Sequence, residues 1–140
     1  QAIYYFKNAV YLGEIAKAAQ NIGVAYFHGR SVQRDLLAAV AWFERAGTGD
    51  SLMLAAQILS SNDKSLPKPN YEHILHLYRR SANAGHSPAS LYLGKYYKRN
   101  NDLHESIKWF MKSARQGNEE ARELLRSIQE SDKQMKIDSQ

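Results

Sequence analysis

The sequence has no cysteine among its 140 residues, and only three prolines. Without cysteine the chain forms no disulfide, no thiolate zinc site and no cysteine nucleophile. No apolar run approaches the ~20 residues that a membrane-spanning helix requires. No signal-peptide pattern is visible at the start. The chain opens on Gln inside an apolar pattern, so we expect a fragment or a processed form, and the sequence does not choose between bacterial periplasm and cytoplasm.

The composition is that of an ordinary folded domain. Hydrophobic residues make up 44% and charged residues 24% of the chain, and the length is enough for one domain with a core of its own. The net charge of +5 is mildly basic. This charge favours acidic partners, but it falls short of the strongly basic character that nucleic-acid binding demands.

One sequence motif recurs along the chain, as "WFERAGTGD" from Trp42 and as "WFMKSARQG" from Trp109. Its second aromatic residue has four occurrences, at Phe6, Phe43, Tyr78 and Phe110, which are separated by 37, 35 and 32 residues. Four occurrences at a nearly constant spacing indicate an internal structural repeat.

A second sequence motif lies between these aromatic pairs. Ile22-Gly23 is followed by Tyr26, and Leu93-Gly94 is followed by Tyr97. Glycine has no Cβ, so two helices can approach closely where it stands, and a larger residue would overpack the crossing. The expected middle copy is Ile58-Leu59, which lacks both the glycine and the tyrosine. This loss predicts a locally wider helix crossing in the middle repeat.

Alanines and aromatic residues recur at steps of three and four, which is typical of helices, and no segment alternates as a strand would. Helix-start signals agree with this pattern: Asp102 with Glu105 resembles a capping box, Ser87 reads as a cap before Pro88, and Asn70 and Asn118 precede helical patterns. Gly85 and Gly117 read as helix stops. We therefore predict eight helices, at residues 2–12, 15–28, 33–47, 51–61, 71–84, 88–99, 103–116 and 119–133.

The combined pattern resembles the Sel-one-like repeat, a relative of the tetratricopeptide repeat. The match is best over residues 18–47, good over 89–117 and weak over 51–85. The resemblance implies an all-α fold, a right-handed superhelical α-solenoid of antiparallel helix pairs in which residues such as Phe43 and Phe110 fill the space between neighbouring pairs. We expect a single domain over 1–140, with a half repeat at 1–13, repeats at about 14–49, 50–85 and 86–117, a C-terminal helix at 118–133 and a polar tail at 134–140.

The residues give little support for catalysis. His73 and His76 are spaced so that both could face a metal on one helix side, but the sequence places no third ligand, and two solvated side chains explain them better. Glu119, Glu120 and Glu123 read as helix-start charges. There is no phosphate-binding glycine loop, no recognisable nucleophile set and no cofactor motif. We therefore expect no enzymatic activity, no cofactor and no metal.

The resemblance implies a scaffold or adaptor that binds a partner protein or peptide through its concave surface, which the first helix of each pair lines. The implied partner-binding positions are Lys17, Gln20, Val24, Phe27, His28, Met53, Lys95, Lys98 and Arg99, with Ala56 and Ser60 beside Met53. Phe27 stands outside the repeat pattern, and the three basic residues would suit an acidic partner with a hydrophobic anchor. The alternative is a polyanion, either nucleic acid or acidic polysaccharide, bound at Lys95–Arg99.

Overall fold

The fold is described by a computed structural model, which covers the backbone of residues 2–139 and the side chains of residues 10–139. Over this part of the chain it contains seven α-helices and no strand. The helices are α1 (Ala2–His28), α2 (Leu36–Ala46), α3 (Gly49–Leu59), α4 (Tyr71–Asn83), α5 (Ser87–Arg99), α6 (Leu103–Arg115) and α7 (Glu119–Asp138).

Polar side chains start several helices where the sequence predicts it. The carboxylate of Asp102 accepts from the N–H of Glu105 at 3.2 Å, and the amide oxygen of Asn118 accepts from the N–H of Ala121 at 3.0 Å. Asn70 accepts from the N–H of His73 at 3.3 Å before α4. Each contact satisfies one of the N–H groups that the first turn leaves without a helical partner.

The start of α5 differs from the prediction. Its N-cap is His86, which makes no side-chain capping bond, and Ser87 is already the first helical residue. Ser87 uses its carbonyl oxygen to accept from the hydroxyl of Ser113 at 2.9 Å. The proline at the next position suits a first helical turn, because its missing N–H has no helical partner there.

Two further helix boundaries differ from those predicted. Residues 2–12 and 15–28 form the single helix α1, which runs through Gly13 without a break. A glycine in a helix interior costs only about 1 kcal/mol relative to alanine, so the flanking helix formers outweigh it. The polar tail is helical as far as Asp138, since α7 continues past residue 133. The side chains of Tyr5 and Phe6, which begin the repeat pattern, lie outside the described residues.

The chain divides into two compact units, Gln1–Ser81 and Ala82–Gln140. In the first unit α1 packs on α2 and α2 packs on α3. In the second, α5 packs on α6 and α6 packs on α7. The predicted repeat bounds of 14–49, 50–85 and 86–117 stay a prediction.

The core of each unit contains an aromatic ring placed on a glycine. A Cβ on Gly23 of α1 would come within 2.8 Å of the buried Phe43 ring of α2, and a Cβ on Gly94 of α5 would overlap the buried Phe110 ring of α6. The close approach that was expected at these glycines is therefore confirmed. The expectation that the rings lie between neighbouring pairs did not include this contact, in which each ring packs against the glycine of its own helix pair.

A buried hydroxyl adds to the crossing of α5 and α6. The Ser106 side chain is fully buried and donates to the carbonyl oxygen of Gly94 at 2.7 Å. The bond satisfies a polar group that would otherwise lose its contact with water on burial. Gly94 is thus held from two sides, by the Phe110 ring at its Cα and by Ser106 at its carbonyl.

The middle repeat keeps a small residue at its crossing, although the sequence pattern places Leu59 there. The first residues of α3 and α5, Gly49 and Ser87, both accept a hydrogen bond from a buried serine of the following helix. When α3 and α5 are aligned at these first residues, Ala56 of α3 lies at the position of Gly94 in α5. Ala56 is fully buried. Leu59 is the half-buried last residue of α3. The middle repeat therefore has alanine where its neighbour has glycine, and the wider crossing stays a prediction.

The ring-on-glycine contact predicts the effect of adding one methyl group. We expect Gly94→Ala to lower the free energy of unfolding by about 1–3 kcal/mol, because the buried Phe110 ring has little room to move and overpacking outweighs the gain in helix propensity. Gly13→Ala is the matched control, since a Cβ at Gly13 meets no atom within 4 Å. That variant should be as stable as the wild type or up to about 1 kcal/mol more stable.

Urea-induced unfolding followed by circular dichroism measures both variants. Equal stability of the Gly94→Ala and Gly13→Ala proteins would contradict the assigned role of Gly94.

Candidate functional site

A groove opens between the first helices of two successive helix pairs in the first unit. One wall is the end of α1, with Val24, Phe27 and His28, and the other is α3, with Leu54 and Ile58 among its lining residues. We call it the α1–α3 groove. It encloses a cavity of about 380 Å³, which lies in the range of sites that accept a ligand side chain or a small molecule.

The floor of the α1–α3 groove comes from the second helix of the pair. Leu36 and Phe43 of α2 are buried in the core and also face the cavity. The lining is therefore mainly apolar, and its polar groups lie toward the helix ends, at Gln57, Ser61 and Asp63. The same Phe43 ring that sets the helix crossing thus forms the bottom of the groove.

The mouth of this groove carries two opposite charges. The Nε–H of Arg34 donates to the carbonyl oxygen of Phe27 at 3.1 Å, which ties the loop before α2 to the end of α1. Asp63 accepts from the hydroxyl of Ser65 at 2.6 Å and from its backbone N–H at 2.9 Å. These two hydrogen bonds, and to a lesser extent the charge of Arg34, hold the pKa of Asp63 below its ordinary value.

The α1–α3 groove collects only some of the positions predicted for this unit. Val24, Phe27 and His28 line it, whereas Lys17, Gln20 and Met53 do not. Lys17 is exposed, and Gln20 and Met53 are half-buried. Ala56 is fully buried in the core and is not available to a partner, so its assignment was wrong. Leu54 and Ile58 were missed because the sequence pattern gives no sign that α3 turns them toward α1.

The second unit has a corresponding groove between α5 and α7. Lys95, Lys98 and Arg99 of α5 line one wall, and Leu124 of α7 faces them over Phe110. A second hollow adjoins it through Lys98. The two hollows enclose about 680 and 500 Å³. We call them together the α5–α7 groove.

The two grooves use the same positions of the repeat. Residues that line the first groove have counterparts that line the second, at a spacing of 71 residues between α1 and α5, 67 between α2 and α6, and 70 between the segment from α3 to residue 61 and α7. The pairs are Val24/Lys95, Phe27/Lys98, His28/Arg99, Leu36/Leu103, Phe43/Phe110, Leu54/Leu124, Gln57/Ser127, Ile58/Ile128 and Ser61/Ser131. On the floor and on the α3 or α7 wall, apolar residues correspond to apolar residues and polar residues to polar ones. The α1 and α5 walls differ, because apolar and aromatic residues on α1 are replaced by cations on α5.

Ion pairs neutralise part of the charge in the α5–α7 groove. Lys95 Nζ lies 2.8 Å from Glu120 Oε1, and Lys136 Nζ lies 3.2 Å from Asp132 Oδ2. Among the described residues, Lys98 and Arg99 have no ion-pair partner, and both side chains are exposed. Two cations therefore remain to attract an anionic ligand.

The histidine and glutamate residues that were considered for chemistry from the sequence include two that form ion pairs near the surface. His73 Nε2 lies 3.3 Å from Glu44 Oε1 on α2, and Glu119 pairs with Arg122 at 2.8 Å within α7. In the part of the chain that the structure describes, no three His, Cys, Asp or Glu side chains stand close enough to hold a metal ion. No described helix combines the length and hydropathy that crossing a membrane requires.

The repeated helix pairs and their equivalent grooves define the class of the protein, an all-α helical repeat solenoid. The family model of the Sel1 repeat matches residues 16–51, 54–86 and 89–118. The chain therefore belongs to the Sel1 repeat family, which confirms the resemblance inferred from its Gly, Tyr and Trp-Phe positions.

Two solved structures show the same fold at low sequence identity. A Sel1 repeat protein from Oxalobacter formigenes is 24% identical with a TM-score of 0.65, over 80% of this chain and 48% of that one. The protective antigen c5321 of uropathogenic Escherichia coli, which displays an SLR fold, is 24% identical with a TM-score of 0.64, over 91% and 28%. This chain thus spans about half of the first protein and just over a quarter of the second. None of the curated proteins matches it.

Family membership carries a general functional statement. Sel1 repeat proteins generally act as protein-interaction scaffolds, and the repeat is typical of a non-catalytic scaffold family.

The hydrogen bonds at the mouth of the α1–α3 groove lead to a prediction about Asp63. The bonds from Ser65 favour the carboxylate, so their stabilising effect is present above the ordinary aspartate pKa and is lost as the pH falls through the lowered pKa. We expect Ser65→Ala to raise the pKa of Asp63 toward its ordinary value by removing the hydroxyl donor. Arg34→Ala should raise the pKa less, because the Arg34 charge is the smallest of the lowering influences.

An NMR titration of the Asp63 carboxyl carbon in wild type and both variants checks this order. A larger rise for Arg34→Ala than for Ser65→Ala would contradict it.

Proposed function

We propose that this chain is a non-enzymatic scaffold that binds a segment of a partner protein, and that the α1–α3 groove takes a large apolar side chain of that segment. The observation that carries the proposal is the partial exposure of Phe27. This residue is 36% exposed at the edge of an apolar cavity. A large aromatic side chain left partly in water at the edge of an apolar groove is a common sign of a binding surface.

The repeat itself supports a binding role for Phe27. If the scaffold needed an aromatic ring at this position, the equivalent position of α5 would also be apolar, but it is the exposed Lys98. The neighbouring positions change in the same way, from Val24 to Lys95 and from His28 to Arg99. The fold therefore tolerates charged residues at these positions. Binding of a ligand best explains why the α1 wall is apolar.

The groove also favours a particular kind of ligand group. A cavity of about 380 Å³ with Phe43, Leu36 and Ile58 on its inner surface suits one large apolar side chain. Gln57 offers a side-chain amide along its edge for the ligand backbone. The hydroxyl of Ser61 donates to the carbonyl oxygen of Ile58 at 2.7 Å, and its oxygen can still accept from a ligand N–H. An extended or helical segment with a Leu, Met, Phe or Trp anchor fits this arrangement.

Selection from a displayed library of short random peptides tests the proposal directly. Peptides enriched on the wild-type protein should share a large apolar residue, and Phe27→Ala should weaken their binding at least about tenfold, which corresponds to about 1.4 kcal/mol. Fluorescence anisotropy of the labelled peptides measures the dissociation constants.

Leu37→Ala is the matched control for this experiment. Leu37 lies in the same unit and is 48% exposed, but it does not line the groove. Its replacement should leave peptide affinity within about twofold of wild type. If no peptide is enriched, or if Phe27→Ala binds as well as Leu37→Ala while both remain folded by circular dichroism, the groove assignment is wrong.

A further inference from the structure

The α5–α7 groove differs from the α1–α3 groove in its charge while keeping its shape-forming residues. We infer that it is a second binding site of different specificity, which takes a peptide segment carrying carboxylates next to an aliphatic anchor. The inference rests on the proposed function in one respect, namely that the grooves serve a partner protein.

The carboxylate preference follows from Lys98 and Arg99. Both are exposed on the α5 wall, and among the described side chains neither has an ion-pair partner. The acids nearby are already engaged, since Glu120 holds Lys95 and Asp132 holds Lys136. An arginine and a lysine side by side are well suited to carboxylates, because the guanidinium group binds two oxygens at once and the ammonium group adds a second charge.

The aliphatic anchor follows from the hollow beside Lys98. Leu103 is 48% exposed although its counterpart Leu36 is buried, and Ile107 and Ile128 line the same hollow. Met135 closes the α7 side and is 71% exposed. Methionine and leucine at an open surface adapt readily to an aliphatic side chain. The cationic side chains and the exposed aliphatic side chains are therefore adjacent at Lys98.

Two other occupants fit these observations less well. Nucleic acid needs a series of aromatic platforms for its bases, but the α5–α7 groove has only the half-buried Tyr92 and the fully buried Phe110 in one hollow, and the hollow with the exposed aliphatic surface is lined without an aromatic residue. A second copy of this chain would bring another net charge of +5 toward the unpaired Lys98 and Arg99. An acidic peptide satisfies both the charge and the aliphatic surface.

The experiment uses the Phe27→Ala protein as bait, so that peptide selection reports on surfaces other than the α1–α3 groove. The enriched peptides should carry at least one Asp or Glu near a Leu, Ile or Met. Lys98→Glu with Arg99→Glu should weaken their binding at least about tenfold, and Leu103→Gln should weaken it several-fold. Arg126→Glu with Lys133→Glu is the matched control, because both residues are exposed on α7 outside the groove and their replacement changes the net charge by the same four units. It should change affinity by no more than about twofold.

Four results would overturn the inference. One is enrichment of peptides without acids. A second is equal binding by the Lys98→Glu/Arg99→Glu and Arg126→Glu/Lys133→Glu proteins. Another is tight binding of a thymidine oligonucleotide that collapses as salt rises, because that behaviour marks a polyanion site. The last is a dimer in sedimentation equilibrium that Met135→Asp dissociates, which would make the groove an interface between copies.

The two proposals fail separately. If wild-type protein enriches peptides that depend on Phe27 but the Phe27→Ala bait enriches none, only the inference about the α5–α7 groove is wrong. If neither bait enriches any peptide, the proposed binding function fails as well.

Discussion

The contact of an aromatic ring with a bare glycine Cα sets the geometry of both compact units. Phe43 on Gly23 and Phe110 on Gly94 bring the two helices of a pair closer than any side chain at those glycines would allow. Burial of a phenylalanine side chain contributes several kcal/mol, about 3–5 when judged from Phe-to-Ala replacements. The helices can gain that energy only in the one register that places the ring over the glycine, so the contact fixes both distance and alignment.

The same two rings explain why equivalent grooves occur in different units. Each ring is buried against its own helix pair and also forms the floor between successive first helices. The α1 and α5 residues immediately after the glycine stand on the wall above that floor. Their side chains contribute little to the crossing, so they can change from Val24 to Lys95, and from Phe27 to Lys98, while the fold stays the same. A rigid frame with variable walls is a general property of repeat scaffolds.

Much of the fold was predictable because it depends on residues with one dominant physical role. Gly23 and Gly94 indicated close approach, and Asp102, Asn70 and Asn118 marked helix starts correctly. The middle repeat could not be aligned from sequence, because Ala56 is an ordinary helix residue and only the serine contacts at Gly49 and Ser87 reveal its register. The continuity of α1 through Gly13 was missed for a similar reason, since a glycine alone does not say whether flanking residues outweigh it.

The candidate site was less predictable than the fold. The pattern correctly placed Val24, Phe27 and His28 together, because they follow Gly23 on one helix. It gave no indication of the opposite wall, where Leu54 and Ile58 depend on how α3 packs on α2. The same repeat pattern also predicted Lys17, Gln20 and Met53 as binding positions, but these residues do not line the groove. A groove between helices depends on the packing of several elements, and the periodicity of one helix does not contain that information.

The pairing of each helix with its neighbour along the chain has a consequence for how the protein reaches this structure. The contacts α1–α2, α2–α3, α5–α6 and α6–α7 join segments that are close in sequence, and the connection between α5 and α6 is only residues 100–102. Local contacts carry a small loop-closure cost, and chains dominated by them fold fast. A helix pair can therefore form soon after its own residues have left the ribosome, and the apolar face that it leaves open is covered when the next helix packs on it, as α3 does on α2 and α7 does on α6.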